Sequence, residues 1–221
     1  MLCAAYVAAQ VTEPTLVTKM YVTAGDKVDE EATEFSGNAP MTARFEAEVD
    51  NPDGLEINYE WRLTRQSTRE LVFSRAEQST EFTFVQSGTF LMELRWSYRL
   101  NGDLIEGESP ASFVVTINES RMEVPNAFTP NDDGKNEIFR VKEGYQSIVE
   151  FHAAVFNRQG KKMYSWDDIS KGWDGTCNGR ECPDGAYYLV IDARGADGRK
   201  YKIRKTINLL RTYDSTASSL R

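Results

Sequence analysis

Histidine is almost missing from this chain: 221 residues hold one, His152. A metal centre built from several imidazoles is therefore impossible, and a Ser-His-Asp type of triad could draw on that residue alone. His152 lies in the apolar run Ile148–Phe156. No nucleophile signature accompanies it, so it reads as a strand-face residue rather than a catalytic base. Long apolar runs are missing too: none approaches 18 residues, so the chain has no membrane-spanning helix of its own. Positive charge is in deficit, with 26 Lys and Arg against 34 Asp and Glu and a net charge of −8. No phosphate-neutralising field is built, which argues against nucleic acid as a partner. Glycine (15) and proline (7) are near average, which removes collagen-like and low-complexity readings.

Aromatic residues, by contrast, make up 11% of the chain and apolar residues 40%. That supply of core material fits one large or two ordinary domains. The charge is divided unevenly. Residues 10–121 carry 20 acidic and 10 basic side chains, whereas residues 122–221 carry 14 and 16. An acidic module is followed by one near neutrality.

The first nine residues, MLCAAYVAA, are apolar and small. They resemble the end of a secretory leader, with Val7 and Ala9 at the positions where small residues precede a cleavage point. Export would leave two cysteines, Cys177 and Cys182, flanking the turn signal Asn178-Gly179. A close pair in an exported chain suggests a disulfide, with a zinc half-site as the rival.

Helical periodicity is scarce and period-two alternation is widespread, which marks half-buried strands. Met41, Ala43, Phe45, Ala47 and Val49 share one face, as do Ile57, Tyr59, Trp61 and Leu63. Phe82 and Phe84 follow, then Phe90, Met92, Leu94, Trp96 and Tyr98, and finally Phe113, Val115 and Ile117. Asn101-Gly102 is a strong hairpin signal between two of these strands. Roughly five to seven strands of this kind predict a β-sandwich. Thr15–Val22 reads as a first strand or an interdomain arm, and Asp26–Glu34, with five acidic residues in nine, as a solvated linker or edge. Further strands are predicted at residues 138–141, 148–157, 161–164, 186–193 and 201–210, with one helical turn over 166–171. The expected fold is all-β, with two β-sandwich domains in tandem. The expected divisions are a leader remnant at 1–9, a strand and acidic linker at 10–34, a first domain at 35–121, a second at 122–211, and a flexible tail at 212–221.

Two clusters carry possible chemistry. The loop Asn131-Asp132-Asp133-Gly134-Lys135-Asn136-Glu137 crowds oxygen-bearing side chains around a glycine. Asn131, Asp133, Asn136 and Glu137 could ligate calcium, which favours several oxygens on a tight loop. The competing reading is a turn in which Asn and Asp bond their own backbone. On the last strand, Lys200, Lys202 and Arg204 share one face. They read equally as a basic docking strip for a partner or as charged protection of a sheet edge. No cofactor is implied besides possible calcium.

Residues 35–118 carry Gly37-Asn38-Ala39-Pro40, Tyr59-Glu60-Trp61 and Ser87-Gly88-Thr89-Phe90 in an order that resembles PKD-like modules of immunoglobulin fold. The acidic turn after the Trp of that family is replaced by Arg62-Leu63-Thr64. Residues 124–211 carry five motifs: Val124–Glu137, Phe156-Asn157-Arg158-Gln159-Gly160, Trp173-Asp174-Gly175-Thr176 with Asn178-Gly179, Pro183–Tyr188, and Leu209-Leu210-Arg211. In this order they resemble the gliding-motility-associated C-terminal domain, the type B sorting domain of the Bacteroidota type IX secretion system. Gln159 stands where that family usually has Trp, Asp132 where it has Gly, and Glu137 where it has Asp.

The resemblance implies a non-enzymatic protein exported to the cell surface or outer membrane. It implies the type IX machinery and a PorP/SprF-like outer-membrane barrel as partners, with the chain as an adaptor subunit. The alternative is a surface adhesin or a carbohydrate-binding module, for which Trp96 and Tyr98 are the candidate stacking residues. A hydrolase with paired carboxylates is disfavoured, since no acidic pair is marked by its context.

Overall fold

The computed structural model describes residues 11–24, 27–30, 33–110 and 112–211, and among them there is no helix. The expected leader at 1–9 and tail at 212–221 lie outside the described residues. The strands divide between two compact units.

The first unit holds β1 (Thr15–Ala24), β2 (Lys27–Glu30), β3 (Glu34–Gly37), β4 (Met41–Asp50), β5 (Ile57–Arg65), β6 (Glu70–Arg75), β7 (Ser79–Phe84), β8 (Gly88–Leu100), β9 (Asp103–Glu106) and β10 (Phe113–Ile117). One sheet has the order β2-β1-β4-β7 and the other β3-β10-β8-β5-β6, with β9 paired to the far end of β8. Four of these strands (β1, β4, β7 and β5) take the places of strands A, B, E and C of an immunoglobulin-like sandwich, with β8 and β10 as F and G. The predicted faces form its core. Phe45, Trp61, Leu63, Met92 and Val115 are fully buried, and the Phe45 ring lies 6.0 Å from Trp61 and 5.6 Å from Phe113.

The Asn101-Gly102 turn joins Leu100 to its partner Asp103, and both turn residues have positive φ, 53° and 93°. That is the twist a two-residue hairpin demands. Thr15–Val22 is the first strand rather than an interdomain arm: β1 pairs antiparallel with β4 from Thr15↔Asp50 to Thr23↔Thr42. The acidic run also gives up Glu34 to β3, which pairs parallel with β10. The expected boundary at residue 35 therefore falls inside a domain. Trp96 and Tyr98 are 7% and 3% exposed. Their buried face removes them as a sugar-stacking platform, because a platform needs an open ring.

The second unit takes in residues 38–40 and 85–87 as well as the chain from Asn118 onward. Its strands are β11 (Ala127–Phe128), β12 (Ile148–Phe156), β13 (Lys162–Trp166), β14 (Thr176–Cys177), β15 (Arg180–Glu181), β16 (Gly185–Gly195) and β17 (Lys200–Leu209). Five of them form one sheet in the order β11-β17-β16-β12-β13; β14 and β15 form a small hairpin of their own. Phe128, Phe139, Trp173, Leu189, Ile191, Ile207 and Leu209 fill the core.

Two local expectations are corrected here. Residues 138–141 alternate buried and exposed but make only one bridge, Phe139 to Trp173, through bonds of 2.8 and 2.9 Å. The alternation reflects burial of Phe139 and Val141, not membership of a ladder. Gly172 comes so close at this bridge that a Cβ would sit 2.3 Å from the Phe139 carbonyl oxygen. The helical turn expected at 166–171 is absent because β13 runs through Trp166. Asp168 then closes a turn of its own, its Oδ1 accepting from Ser170 N at 2.9 Å and Ser170 Oγ at 2.7 Å. Asx residues favour this local bonding over helix.

Candidate functional site

Four of the five motifs of the second unit meet at one end of its sheet. Trp173 is fully buried, 5.4 Å from the Phe128 ring and 5.0 Å edge-on to Tyr187. Its Nε1 donates to the Thr176 carbonyl at 2.7 Å. Asp174 Oδ1 accepts from both the amide and the hydroxyl of Thr176, at 2.8 Å each. The Tyr187 hydroxyl donates to Pro183 O at 2.7 Å. Arg211 clasps the ensemble. Its guanidinium donates to Pro130 O at 2.9 Å and Gly175 O at 2.8 Å, and its amide donates to Asp184 Oδ1 at 3.1 Å. In the remaining motif, Asn157 Oδ1 accepts from Gln159 N and Lys161 N at 3.0 and 2.9 Å and shapes the β12–β13 hairpin.

The motif side chains thus spend their polar groups on the fold. Sequence reading assigned Arg211 no role beyond ending the last strand; the signal available was an Arg directly after the apolar pair Leu209-Leu210, where a fork of donors suits carbonyl groups. Arg211→Ala is expected to destabilise the chain by about 2–3 kcal/mol, because two carbonyls lose a charged donor. Thermal melting checks this, and an unchanged midpoint would contradict the clasp.

The acidic loop is organised the same way. Glu137 accepts the amides of Asp132 at 3.1 Å and Gly134 at 3.0 Å, one on each carboxylate oxygen. Asp133 N donates to Asn131 Oδ1 at 3.3 Å, and Lys135 N to Asp133 Oδ1 at 2.8 Å. Asn136 has φ 53° and its carbonyl accepts Thr129 N at 2.9 Å. Among the described residues, no group of three or more His, Cys, Asp and Glu is placed to hold a metal ion. Asn131, Asp133 and Glu137 thus spend side-chain oxygens on the loop's own amides, which is the geometry of the self-bonded turn.

The disulfide expectation is also corrected: Cys177 and Cys182 are both free thiols. On the β14–β15 hairpin Cys177 stands opposite Arg180, while Cys182 N bonds to Gly175 O at 2.8 Å. The two cysteines thus stand diagonally across the hairpin rather than directly opposite one another. Burial, followed by the neighbouring Cys177, pushes the Cys182 thiol up. A thiol reagent is expected to label Cys177 before Cys182 in the native chain, since the thiolate is the reactive form. Equal rates by mass spectrometry would contradict that order.

Lys200, Lys202 and Arg204 all stand on the solvent side of β17. They are not equivalent. Arg204 is bound by both oxygens of Asp192, at 2.9 and 3.1 Å, and by Ile191 O at 2.9 Å. On the same face Arg194 is paired with Glu150 and holds that carboxyl below its usual range. His152 is exposed, opposite Asp192 in register, with Nδ1 2.6 Å from Asp167 Oδ1. Lys205, on the opposite side, bonds Val124 O at 3.3 Å, Pro125 O at 3.1 Å and the Asn126 side chain, which ties the first motif to β17.

These observations place the polar motif side chains of the second unit in its turns and leave one sheet face to solvent. Residues 122–208 match the CHU_C type IX secretion signal domain. The signal domain associates the chain with type IX secretion and marks it as exported. No curated protein matches the chain. Among solved structures, it is similar to a tetra-tandem repeat from the extending region of a large adhesion protein. Identity there is 13% and the TM-score 0.30, over 89% of this chain and 50% of that one. It is also similar to SGBP-B of the Bacteroides ovatus mixed-linkage glucan utilization locus, at 11% identity and TM-score 0.28, over 80% of this chain and 42% of that one. The fibronectin(III)-like modules of CbhA from Clostridium thermocellum give 13% identity and TM-score 0.23, over 80% and 87%. No helix of the described residues is long and apolar enough to cross a membrane.

Proposed function

We propose that the chain is a non-enzymatic exported protein of the type IX secretion and gliding-motility system. Its signal domain directs outer-membrane translocation and then docks to a PorP/SprF-like barrel, and the chain serves as an adaptor subunit at the outer membrane or cell surface. The carrying observation is the signal domain at residues 122–208, whose motif side chains are committed to their own turns. A unit built this way works as a folded recognition body rather than as a reaction site. The sandwich before it supports the same reading, since its largest aromatics are sealed in the core.

The test is export and capture in a type IX-competent cell. The full chain is expected outside the inner membrane and co-purified with the barrel; a variant lacking residues 122–221 is expected to stay in the periplasm. Export of the truncated variant at the level of the full chain would sink the proposal.

A further inference from the structure

The solvent side of the five-stranded sheet departs from the usual alternation. Half-buried strands place polar residues outward. In β12 and β16 the sequence instead runs apolar without a break, through Ala153-Ala154-Val155-Phe156 and Tyr187–Ile191. The core takes Ala153, Val155, Tyr187, Leu189 and Ile191. The pleat therefore sends Ala154, Phe156, Tyr188 and Val190 to the other side. Register gathers these four: Phe156 is opposite Tyr188, and Ala154 is opposite Val190. Tyr188 is 52% exposed, and Phe156 and Val190 are half-buried.

Cations border this apolar centre. On β17 Arg204 is opposite Val190, and Lys202 and Lys200 continue the row at the next two alternate positions, opposite Asp192 and Arg194; Lys162, the register partner of Phe156, stands on the other side. The carboxylates of the face are already engaged, Glu150 by Arg194 and Asp192 by Arg204. Lys162, Lys200 and Lys202 have no ion-pair partner among the described residues.

We infer that this open face of the signal domain is a docking surface for a protein partner whose own contact surface is acidic around an apolar centre. The inference rests on the proposed reading that the domain engages a partner, and it names the surface and the chemistry that meets it. Charge complementarity selects the partner. Unpaired ammonium groups beside an apolar patch gain most from carboxylates that surround another apolar patch. A second copy of the same face offers only carboxylates that are already paired, and adds Lys against Lys. The β17 cations recur at every second residue, about 7 Å apart. Carboxylates at alternate positions of an extended chain reproduce that spacing, which favours protein over lipid headgroups.

The experiment titrates the full chain against the purified PorP/SprF-like barrel in detergent. The triple variant Tyr188→Ser, Lys200→Glu, Lys202→Glu is expected to bind at least roughly tenfold more weakly. Wild-type binding is expected to fall with salt. Val17→Ser with Arg44→Glu, on the first unit, is expected to leave binding unchanged. Melting of the triple variant within about 3 °C of wild type shows that it is folded. Should Tyr188→Ser unfold it, the two lysine reversals alone are expected to give a smaller loss in the same direction. A wild-type complex that the variants do not weaken overturns this face and leaves the wider reading standing. No wild-type complex overturns both. Variant-sensitive binding to phosphatidylglycerol vesicles without a barrel complex, or variant-sensitive self-association in sedimentation, overturns the choice of a protein partner.

Discussion

Trp173→Ala is expected to cost about 3–5 kcal/mol, the range for removing a fully buried indole. The residue is 0% exposed and packs against Phe128 and Tyr187. Its backbone also forms the bridge to Phe139, which holds the coil covering the sheet. Loss of the ring opens a cavity where three motif segments meet. Urea unfolding followed by tyrosine and tryptophan fluorescence measures the loss, and a secretion assay is expected to show the protein retained. A cost below about 1 kcal/mol would mean that the site collapses around the gap and that the plug is not what organises this end.

Trp61→Ala in the first unit has an expected cost of the same size, since Trp61 is also 0% exposed and packs on Phe45. The two positions part company when phenylalanine replaces the indole. Trp173 Nε1 makes a 2.7 Å bond to Thr176 O, whereas Trp61 Nε1 reaches Gln78 O only at 3.4 Å. Trp173→Phe is therefore expected to cost roughly 1 kcal/mol more than Trp61→Phe, because a partly buried carbonyl loses its donor. Equal costs for the two phenylalanine variants would show that volume alone decides at both sites.

How far the sequence reached depended on what each pattern physically reports. Alternation reports burial, and it located the faces of β4, β5, β8 and β10 residue by residue. It does not report pairing, so β1 could not be assigned to the sheet of β4, and residues 138–141 looked like a strand without a ladder to join. Alternation is silent where no face is buried. β6, with Leu71 and Val72 44% and 40% exposed at a sheet edge, left no trace. Turn chemistry was legible at Asn101-Gly102 and at the acidic loop, where the self-bonded alternative was already in view. The cysteine spacing pointed to a pair on one turn, and the turn places them diagonally instead of opposite one another. The residues of the candidate surface were hidden for another reason. Tyr188 and Val190 sit inside runs that read as core, and only the register shows that every second residue of such a run must face outward.

The position of β17 in its sheet has a kinetic consequence. It is the last strand among the described residues, yet it lies between β11 and β16, so β11 has no partner until β17 arrives. A chain emerging N-terminus first holds Phe128 and the first motif without their strand while everything up to Gly195 is already present. Contacts of such long sequence separation form slowly. The lock at Arg211 follows immediately after that strand. The sheet is therefore completed, and β11 paired, only once β17 and Arg211 are in place.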